Sequence, residues 1–171
     1  VFVGNRVAII SSSDFSPDAL AAMPGRAVAM ARLAPEDKYA GLAPEDRLAR
    51  NIPSLDLEDA GEPDPERLIA LARDAEGAAL AVKGVTNSEG GGGSFSRSAV
   101  ALATSTGFYG RYAGTSHSVS VSVLAGEGTG MERDYAFATA RHAGDLESAE
   151  TVGRRAGMRA AERLNPRKGK S

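Results

Sequence analysis

A strictly alternating segment in the middle of the chain constrains the fold more than any other feature. Valine and serine alternate at every position from Ser118 to Val123. Successive side chains of a β-strand point to opposite faces, so the valines share one face and the serines the other. This pattern is typical of an antiparallel sheet with one buried and one solvated face.

Further strands are predicted before and after this segment. Residues Val82–Glu89 and Ser94–Thr104 have weaker strand patterns, and Thr106-Gly107 is typical of a turn. Gly126–Gly130 predicts the next turn. The following segment, Glu132–His142, predicts another strand because Arg, Tyr, Phe and Thr occupy alternate positions there. The middle of the chain is therefore predicted to be a run of consecutive strands.

Helices are predicted on both sides of these strands. Ser16-Pro17-Asp18 and Asp64-Pro65-Glu66 each combine a capping residue, a proline and an acidic residue, which is a helix start signal. The interior Pro24 predicts a kink or a restart of the first helix. Ser148 caps the last predicted helix, and Gly4-Asn5 predicts a tight hairpin at the start. Runs of strands and helices favour an α+β fold, with an antiparallel sheet packed against helices.

Residues 34–63 are the predicted subdomain boundary. Prolines, glycines and acidic residues interrupt this segment, with one short helix predicted near Pro44–Ala49. The chain is therefore divided into residues 1–63, with hairpin, helix and acidic connection, and residues 64–171, with helix, antiparallel strands and helix. It begins in an apolar segment without an initiator Met and ends in a linker-like segment, so we expect an interior fragment of a longer protein.

The composition excludes several classes of function. The chain has 20 basic and 22 acidic residues and a net charge of −2, so it lacks the basic excess of a nucleic-acid-binding protein. No apolar run approaches the roughly 18 residues of a membrane span. Because there is no cysteine, disulfides and thiolate metal sites are also excluded.

Two glycine-rich motifs are interpreted as turns rather than ligand sites. Gly90–Gly93 lacks the Gly-Lys-Ser/Thr ending of a phosphate loop, so a flexible turn is favoured. Gly126–Gly130 has two glycines at dinucleotide-like spacing but lacks the full fingerprint, so a hairpin loop is favoured.

The two histidines, His117 and His142, do not form a His-Glu-x-x-His motif. The serine-rich strand has no Gly-x-Ser-x-Gly elbow, so a solvated face is favoured over a nucleophile. No catalytic, cofactor-binding or metal-binding residue is therefore predicted, although either histidine remains a candidate for a site formed by the fold. The charged stretch Glu132–Tyr135 is predicted to pair with neighbouring strands, with a substrate or subunit contact as the alternative. Basic residues near the C-terminus are interpreted as favourable to the helix dipole: Arg154, Arg155, Arg159, Arg163, Arg167, Lys168 and Lys170.

Several segments together resemble one known family. The stretch from Gly126 to His142, with Gly-Glu-Gly-Thr-Gly-Met-Glu-Arg-Asp-Tyr and Ala-Arg-His, is similar to the central part of PmbA-type (TldE-type) members of the TldD/PmbA family. The remaining similar segments span nearly the whole chain: Arg6–Asp14, Val85–Gly91, Ala101–Phe108 and Leu164–Lys168.

This resemblance implies the N-terminal α+β region of a cytoplasmic bacterial protein, with a separate C-terminal domain absent from this chain. In the family, TldD-type members carry a zinc-binding His-Glu motif, whereas PmbA-type members lack it and pair with a TldD-type partner. The pair acts as a peptidase on peptides or unfolded proteins, and an older family label is modulator of DNA gyrase. The resemblance therefore implies a heterodimer whose zinc lies in the partner, with no cofactor in this chain.

Two other functions remain open. One is a stand-alone peptide-binding or scaffold protein without a protease partner. The other is an independent hydrolase that uses His117 or His142.

Overall fold

The computed structural model describes residues 1–166, so the predicted basic residues Arg167, Lys168 and Lys170 lie outside the described part. Within that part, three α-helices accompany a two-stranded and a three-stranded sheet, and the α+β prediction is confirmed. The chain divides into two units. The first contains Val1–Pro53 and Leu102–Gly110, and the second contains Ser54–Ala101 and the chain from Arg111 onward.

The first unit begins with the predicted hairpin. Strands β1 (Phe2–Val3) and β2 (Arg6–Val7) are antiparallel, and Gly4 between them has a φ of 59°. Only glycine adopts such a positive φ at little cost, which explains the residue at this turn.

Helix α1 (Pro17–Leu33) follows, and the Ser16 side chain accepts a hydrogen bond from the Ala19 N–H as the predicted cap. The helix continues through Pro24, so a restart at this residue is wrong, and the alternative, a kink, stays a prediction. A proline removes one backbone bond, while the later turns stay anchored by buried Ala27 and Ala31. The short helix predicted near Pro44 is a 3-10 turn at Glu45–Arg47.

The second unit contains most of a sheet with the order β3-β4-β5, whose strands are β3 (Val85–Ala103), β4 (Tyr109–Ala125) and β5 (Glu132–Ala140). Strands β4 and β5 are antiparallel, as predicted. The alternation in β4 has its expected effect: its valines are buried, whereas the serine side is partly or fully exposed.

Helices α2 (Pro65–Leu80) and α3 (Ala149–Glu162) complete the core on the valine side of the sheet. Asp64 and Ser148 cap them as predicted, accepting hydrogen bonds from first-turn N–H groups. The buried core residues are Ala75, Ala79, Val119, Val121, Val123, Ala125, Ala136, Ala149, Val152, Ala156 and Ala160. None of the helices in residues 1–166 is long and apolar enough to cross a membrane.

The glycine run is part of a strand, so its interpretation as a flexible turn is wrong. Gly90–Gly93 lies inside β3. A Cβ added to Gly91 would lie 2.3 Å from the carbonyl oxygen of Ala72, and one added to Gly93 would lie 2.3 Å from that of Leu68. Helix α2 therefore rests directly on strand backbone, and the glycines are required by that close packing. The sequence showed four residues without a side chain, but it did not show that helix α2 occupies the space beside them.

The Gly126–Gly130 segment does form the predicted connection between β4 and β5. Gly126 has a φ of 80°, and a 3-10 turn covers Gly128–Gly130.

Candidate functional site

The serine side of the three-stranded sheet forms one exposed surface, called here the outer sheet face. In the β4–β5 register Ser120 pairs with Phe137 and Ser122 pairs with Tyr135. Tyr135 is 54% exposed and Phe137 is 60% exposed, and their rings stack with centroids 6.4 Å apart. Strand alternation places both rings opposite the buried Ala136, so the outer sheet face presents two neighbouring aromatic rings to solvent.

A polar network lies beside these rings. The Oε2 atom of Glu89 accepts hydrogen bonds from Ser122 Oγ at 2.6 Å and from Arg133 Nε at 2.5 Å. These bonds, with that from Ser122 the larger cause, lower the pKa of the Glu89 carboxyl. An open groove of about 300 Å³ adjoins the network, and we call it the outer groove; it is lined by Gly90, Ser120, Val121, Ser122, Arg133, Tyr135 and Ala136.

The charged stretch at the start of β5 pairs with neighbouring elements, as predicted. Arg133 contacts Glu89 of β3, and Asp134 Oδ2 lies 2.6 Å from Nε of Arg163. Both contacts tie β5 to elements that are distant in sequence.

Arginines of α3 cover the open edge of β5. Arg155 donates to the Phe137 carbonyl at 3.2 Å and Arg159 donates to the Tyr135 carbonyl at 3.4 Å. Arg155, Arg159 and Arg163 are four residues apart and so lie on one face of the helix. Arg155 and Arg159, which the sequence assigned only to the helix dipole, occupy main-chain acceptors that would otherwise attract another strand.

His117 lies on the opposite, buried side of β4, and its side chain is only 6% exposed. Its Nε2 atom lies 3.2 Å from Asp59 Oδ2. Among residues 1–166 no contact of Nε2 has hydrogen-bond geometry, so the Asp59 oxygen lies close to the ring nitrogen but off the direction of a ring N–H. The imidazole also contacts the Phe95 ring, with centroids 4.9 Å apart.

Asp59 is held by backbone groups of the surrounding segments. The Ala143 N–H donates to Oδ2 at 2.8 Å and the Gly61 N–H donates to Oδ1 at 3.0 Å. These bonds, with that from Ala143 the larger cause, lower the pKa of the Asp59 carboxyl. The Asp59 N–H donates to the fully buried Thr115 hydroxyl, which donates in turn to the Arg141 carbonyl at 2.7 Å.

A cavity of about 240 Å³ adjoins His117 on this side of the sheet, and we call it the helix-side cavity. It lies between α2, the start of α3 and the segment that follows β5. Its walls are formed by Pro63, Arg67, Leu68, Leu71, Asp74, Ser94, His117, Ala143, Leu146, Glu147, Ser148, Ala149 and Glu150.

The second histidine has a separate partner. His142 Nε2 lies 3.2 Å from Asp56 Oδ1, and the exposed fraction of the His142 side chain is 29%. The structure therefore does not bring the two histidines into one site, but it pairs each with an aspartate of the acidic connection. The sequence did not point to either aspartate, because a charged residue in a loop is usually an exposed surface residue.

The zinc that metallopeptidases use does not fit the described residues. Zinc sites require three or four ligands drawn from His, Cys, Asp and Glu. Within residues 1–166 no group of three such side chains converges closely enough to hold a metal ion. No metal-dependent step is therefore assigned to this part of the chain.

Known proteins match this chain along most of its length. A family model described as the PmbA/TldA metallopeptidase central domain matches residues 58–164. The metalloprotease PmbA of Escherichia coli O157:H7 is 40% identical over 169 residues, which cover 98% of this chain and 38% of that protein. The chain thus spans well under half the length of the curated relatives it matches.

Solved structures share the fold. A candidate modulator of DNA gyrase from Bacteroides thetaiotaomicron superposes with a TM-score of 0.82 at 22% sequence identity. The superposition covers 99% of this chain and 39% of the Bacteroides chain. TldE from Thermococcus kodakarensis superposes with a TM-score of 0.61 at 20% sequence identity, which covers 91% of this chain and 34% of the TldE chain. On the sequence matches, this chain belongs to the PmbA/TldD family of metallopeptidase-related proteins and is of the PmbA type.

Proposed function

We propose that this chain is part of a PmbA-type subunit that holds peptides or unfolded proteins for a zinc-bearing TldD-type partner. The observation that carries the proposal is the outer sheet face, where Tyr135 and Phe137 stand exposed beside the outer groove in a chain of a metallopeptidase family.

The chemistry of this surface suits an unfolded substrate. Unfolded chains expose apolar side chains, and covering an aromatic ring with such side chains is favourable. Arg133 lines the same groove and is paired with Glu89, so charged or polar parts of a peptide also find partners there. Contacts of this kind are weakly selective for sequence, which suits a subunit that presents many different peptides.

In this proposal the partner supplies the metal and the hydrolytic step, because the residues described here do not fit zinc. This chain binds and orients the substrate, and the assembly works in the cytoplasm. Loss of substrate binding on this surface should therefore raise KM while leaving kcat little changed.

The test uses the full-length protein that contains this chain, mixed with a TldD-type partner and an unfolded fluorescent peptide. The double substitution Tyr135→Ser and Phe137→Ser should lower kcat/KM about tenfold, since a tenfold loss corresponds to about 1.4 kcal/mol of lost binding. The control is Phe15→Ser with Tyr39→Ser, which removes two exposed aromatic rings from the first unit.

Two outcomes would contradict the proposal. Equal cleavage by the partner alone would remove any role for this subunit. Unchanged kcat/KM in the Tyr135 and Phe137 variant would remove the outer sheet face as the substrate surface. Peptide capture from cell extract without any TldD-type protein would favour the stand-alone scaffold instead.

A further inference from the structure

Helix α3 carries a second open groove, called here the α3 groove, on the side that faces away from the core. The groove has a volume of about 300 Å³ and is lined by Thr151, Arg154, Arg155, Met158, Arg159 and Glu162. These residues recur at helical spacing and so form one face of the helix. The buried residues Val152, Ala156 and Ala160 occupy the opposite face, so the core makes no use of the groove.

Positive charge predominates in the α3 groove, where the lining residues include three arginines and one glutamate. Arg155 is paired with Glu147, whereas the exposed Arg154 and Arg159 make no ion pair within residues 1–166. The single carboxylate among the lining residues, that of Glu162, offsets at most one of these two charges. A guanidinium group presents several N–H donors in a planar fork that matches a carboxylate. The groove therefore favours an anionic ligand that carries carboxylates.

An exposed methionine adds an apolar contact to the same surface. Met158 lies one helical turn after Arg154, and its side chain is exposed to solvent. A methionine side chain is flexible and packs against apolar groups of different shapes. The α3 groove therefore suits a ligand that combines carboxylates with an apolar group.

The α3 groove meets the outer groove at one contact. Arg159 lines the α3 groove and donates a hydrogen bond to the Tyr135 carbonyl at 3.4 Å. Tyr135 in turn lines the outer groove. A chain that follows the outer groove over the edge of β5 therefore meets the Arg159 guanidinium first.

The small size of the groove favours an unfolded chain over a folded partner. Stable protein interfaces bury about 800 Å² on each partner and use about 20–30 residues of each. The α3 groove is lined by six residues of one helix, which match a few residues of an extended peptide.

We propose that the α3 groove binds an acidic segment of an unfolded peptide. The carboxylates pair with Arg154 and Arg159, and an apolar side chain of the peptide packs against Met158. The carboxylates belong to Glu or Asp side chains or to the carboxyl terminus of the peptide. This inference rests on the proposed function for the source of the peptide, and it deepens that function because it gives the substrate a preferred charge.

Fluorescence anisotropy with the full-length protein that contains this chain provides the test. Two labelled, unstructured peptides share a leucine-containing core and an amidated end, and the core is followed by a pair of glutamates in one and a pair of glutamines in the other. The glutamate peptide should bind about tenfold more tightly, because each exposed ion pair contributes up to about fivefold. About 0.5 M salt should remove most of this difference, since salt screens exposed charges.

A glutamine peptide with a free carboxyl terminus distinguishes the two sources of the carboxylate. Binding as tight as that of the glutamate peptide supports a site for chain ends. Binding as weak as that of the amidated glutamine peptide supports a site for acidic side chains.

Substitution of both unpaired arginines tests the assignment to this groove. Arg154→Gln with Arg159→Gln should reduce the preference for the glutamate peptide to less than about twofold. Arg154 makes no side-chain hydrogen bond within the described residues, so Arg154→Gln alone leaves the fold unchanged and should reduce the preference about threefold. The matched control is Arg73→Gln, a substitution of an exposed arginine of α2 that makes no ion pair within residues 1–166, and it should keep the full preference.

Four outcomes would overturn the proposal. Equal binding of the glutamate and glutamine peptides at low salt would remove the preference for acidic segments. An undiminished preference in the double variant, or an equal loss in Arg73→Gln, would remove the assignment to this groove. Weaker association of the double variant with a TldD-type partner, at unchanged peptide binding, would make the groove a subunit contact instead.

The Tyr135→Ser and Phe137→Ser variant separates this inference from the proposed function. Unchanged kcat/KM in that variant contradicts the outer sheet face as the substrate surface. The α3 groove still stands in that case if the preference for the glutamate peptide depends on Arg154 and Arg159. A lowered kcat/KM in the aromatic variant, combined with no charge preference in the wild type, removes the α3 groove alone.

Discussion

Asp59 Oδ2 lies 3.2 Å from Nε2 of His117, which connects the loop before α2 to the centre of β4. The same carboxylate accepts backbone hydrogen bonds from Ala143 and Gly61. One aspartate therefore joins three segments that are far apart in sequence. Its partners indicate a structural role for the acidic connection that its composition alone did not show.

The first prediction concerns Asp59→Asn, which keeps the size of the side chain but removes its charge. The folded-state pKa of Asp59 lies below the ordinary value of 3.8. The carboxylate therefore stabilises the fold at pH values above its unfolded pKa, and this contribution is lost as the pH falls through the folded pKa. Urea unfolding should show a lower midpoint for the variant at pH 7 and a shrinking difference below pH of about 4.

The matched control for this experiment is Asp46→Asn, which changes an exposed aspartate of the 3-10 turn in the first unit. Its midpoint should stay close to that of the wild type at both pH values. A pH-independent difference between wild type and Asp59→Asn would show that the charge of Asp59 has no part in its effect.

The second prediction concerns the glycines of β3. Gly91→Ala should destabilise the fold by about 1–3 kcal/mol, because its Cβ would lie 2.3 Å from the Ala72 carbonyl oxygen and force α2 away from the sheet. Gly92→Ala is the matched control, because Gly92 lies in the same glycine segment and its Cβ would approach only the Ser120 hydroxyl, at 3.2 Å.

Chemical denaturation of both variants measures this difference. The Gly92 variant should stay within about 0.5 kcal/mol of the wild type. Equal stability of Gly91→Ala and Gly92→Ala would show that the close contact between α2 and β3 does not constrain the fold.

The third prediction concerns the arginines along β5. Replacing Arg155, Arg159 and Arg163 with serine removes the hydrogen bonds to the Tyr135 and Phe137 carbonyls and the contact with Asp134. An uncovered strand edge pairs readily with another chain. Sedimentation velocity should therefore detect dimers or larger species of the triple variant at concentrations where the wild type is monodisperse.

Arg154→Ser changes a neighbouring exposed arginine of α3 and should leave the sedimentation profile unchanged. Association of both variants to the same extent would point to a general effect of lost positive charge. No association in the triple variant would mean that the arginines do not protect the edge.

The periodic parts of the fold followed from the sequence. Alternation in β4 predicted which residues face the core, and Ser16, Asp64 and Ser148 predicted the helix starts. These signals are local, because a strand has a period of two residues and a cap acts within one turn. The boundary predicted after residue 63 stays a prediction.

The candidate sites depended on contacts between distant residues. The glycine run was assigned to a turn because nothing in its own neighbourhood showed the α2 backbone that lies against it. The aspartates paired with His117 and His142 lie 58 and 86 residues away from them, as their numbers show. The residue spacing held no signal that would have joined these pairs.

The class of fold, the inward and outward faces of β4, the helix starts and the resemblance to the PmbA/TldD family could all be predicted, because each depends on residue order along one segment. Three features required the folded chain: helix α2 packs against Gly91 and Gly93, arginines of α3 cover the edge of β5, and His117 contacts Asp59 beside a cavity. Those relationships arise when side chains from separate segments compete for the same space and hydrogen-bonding groups, and that competition exists only in the folded chain.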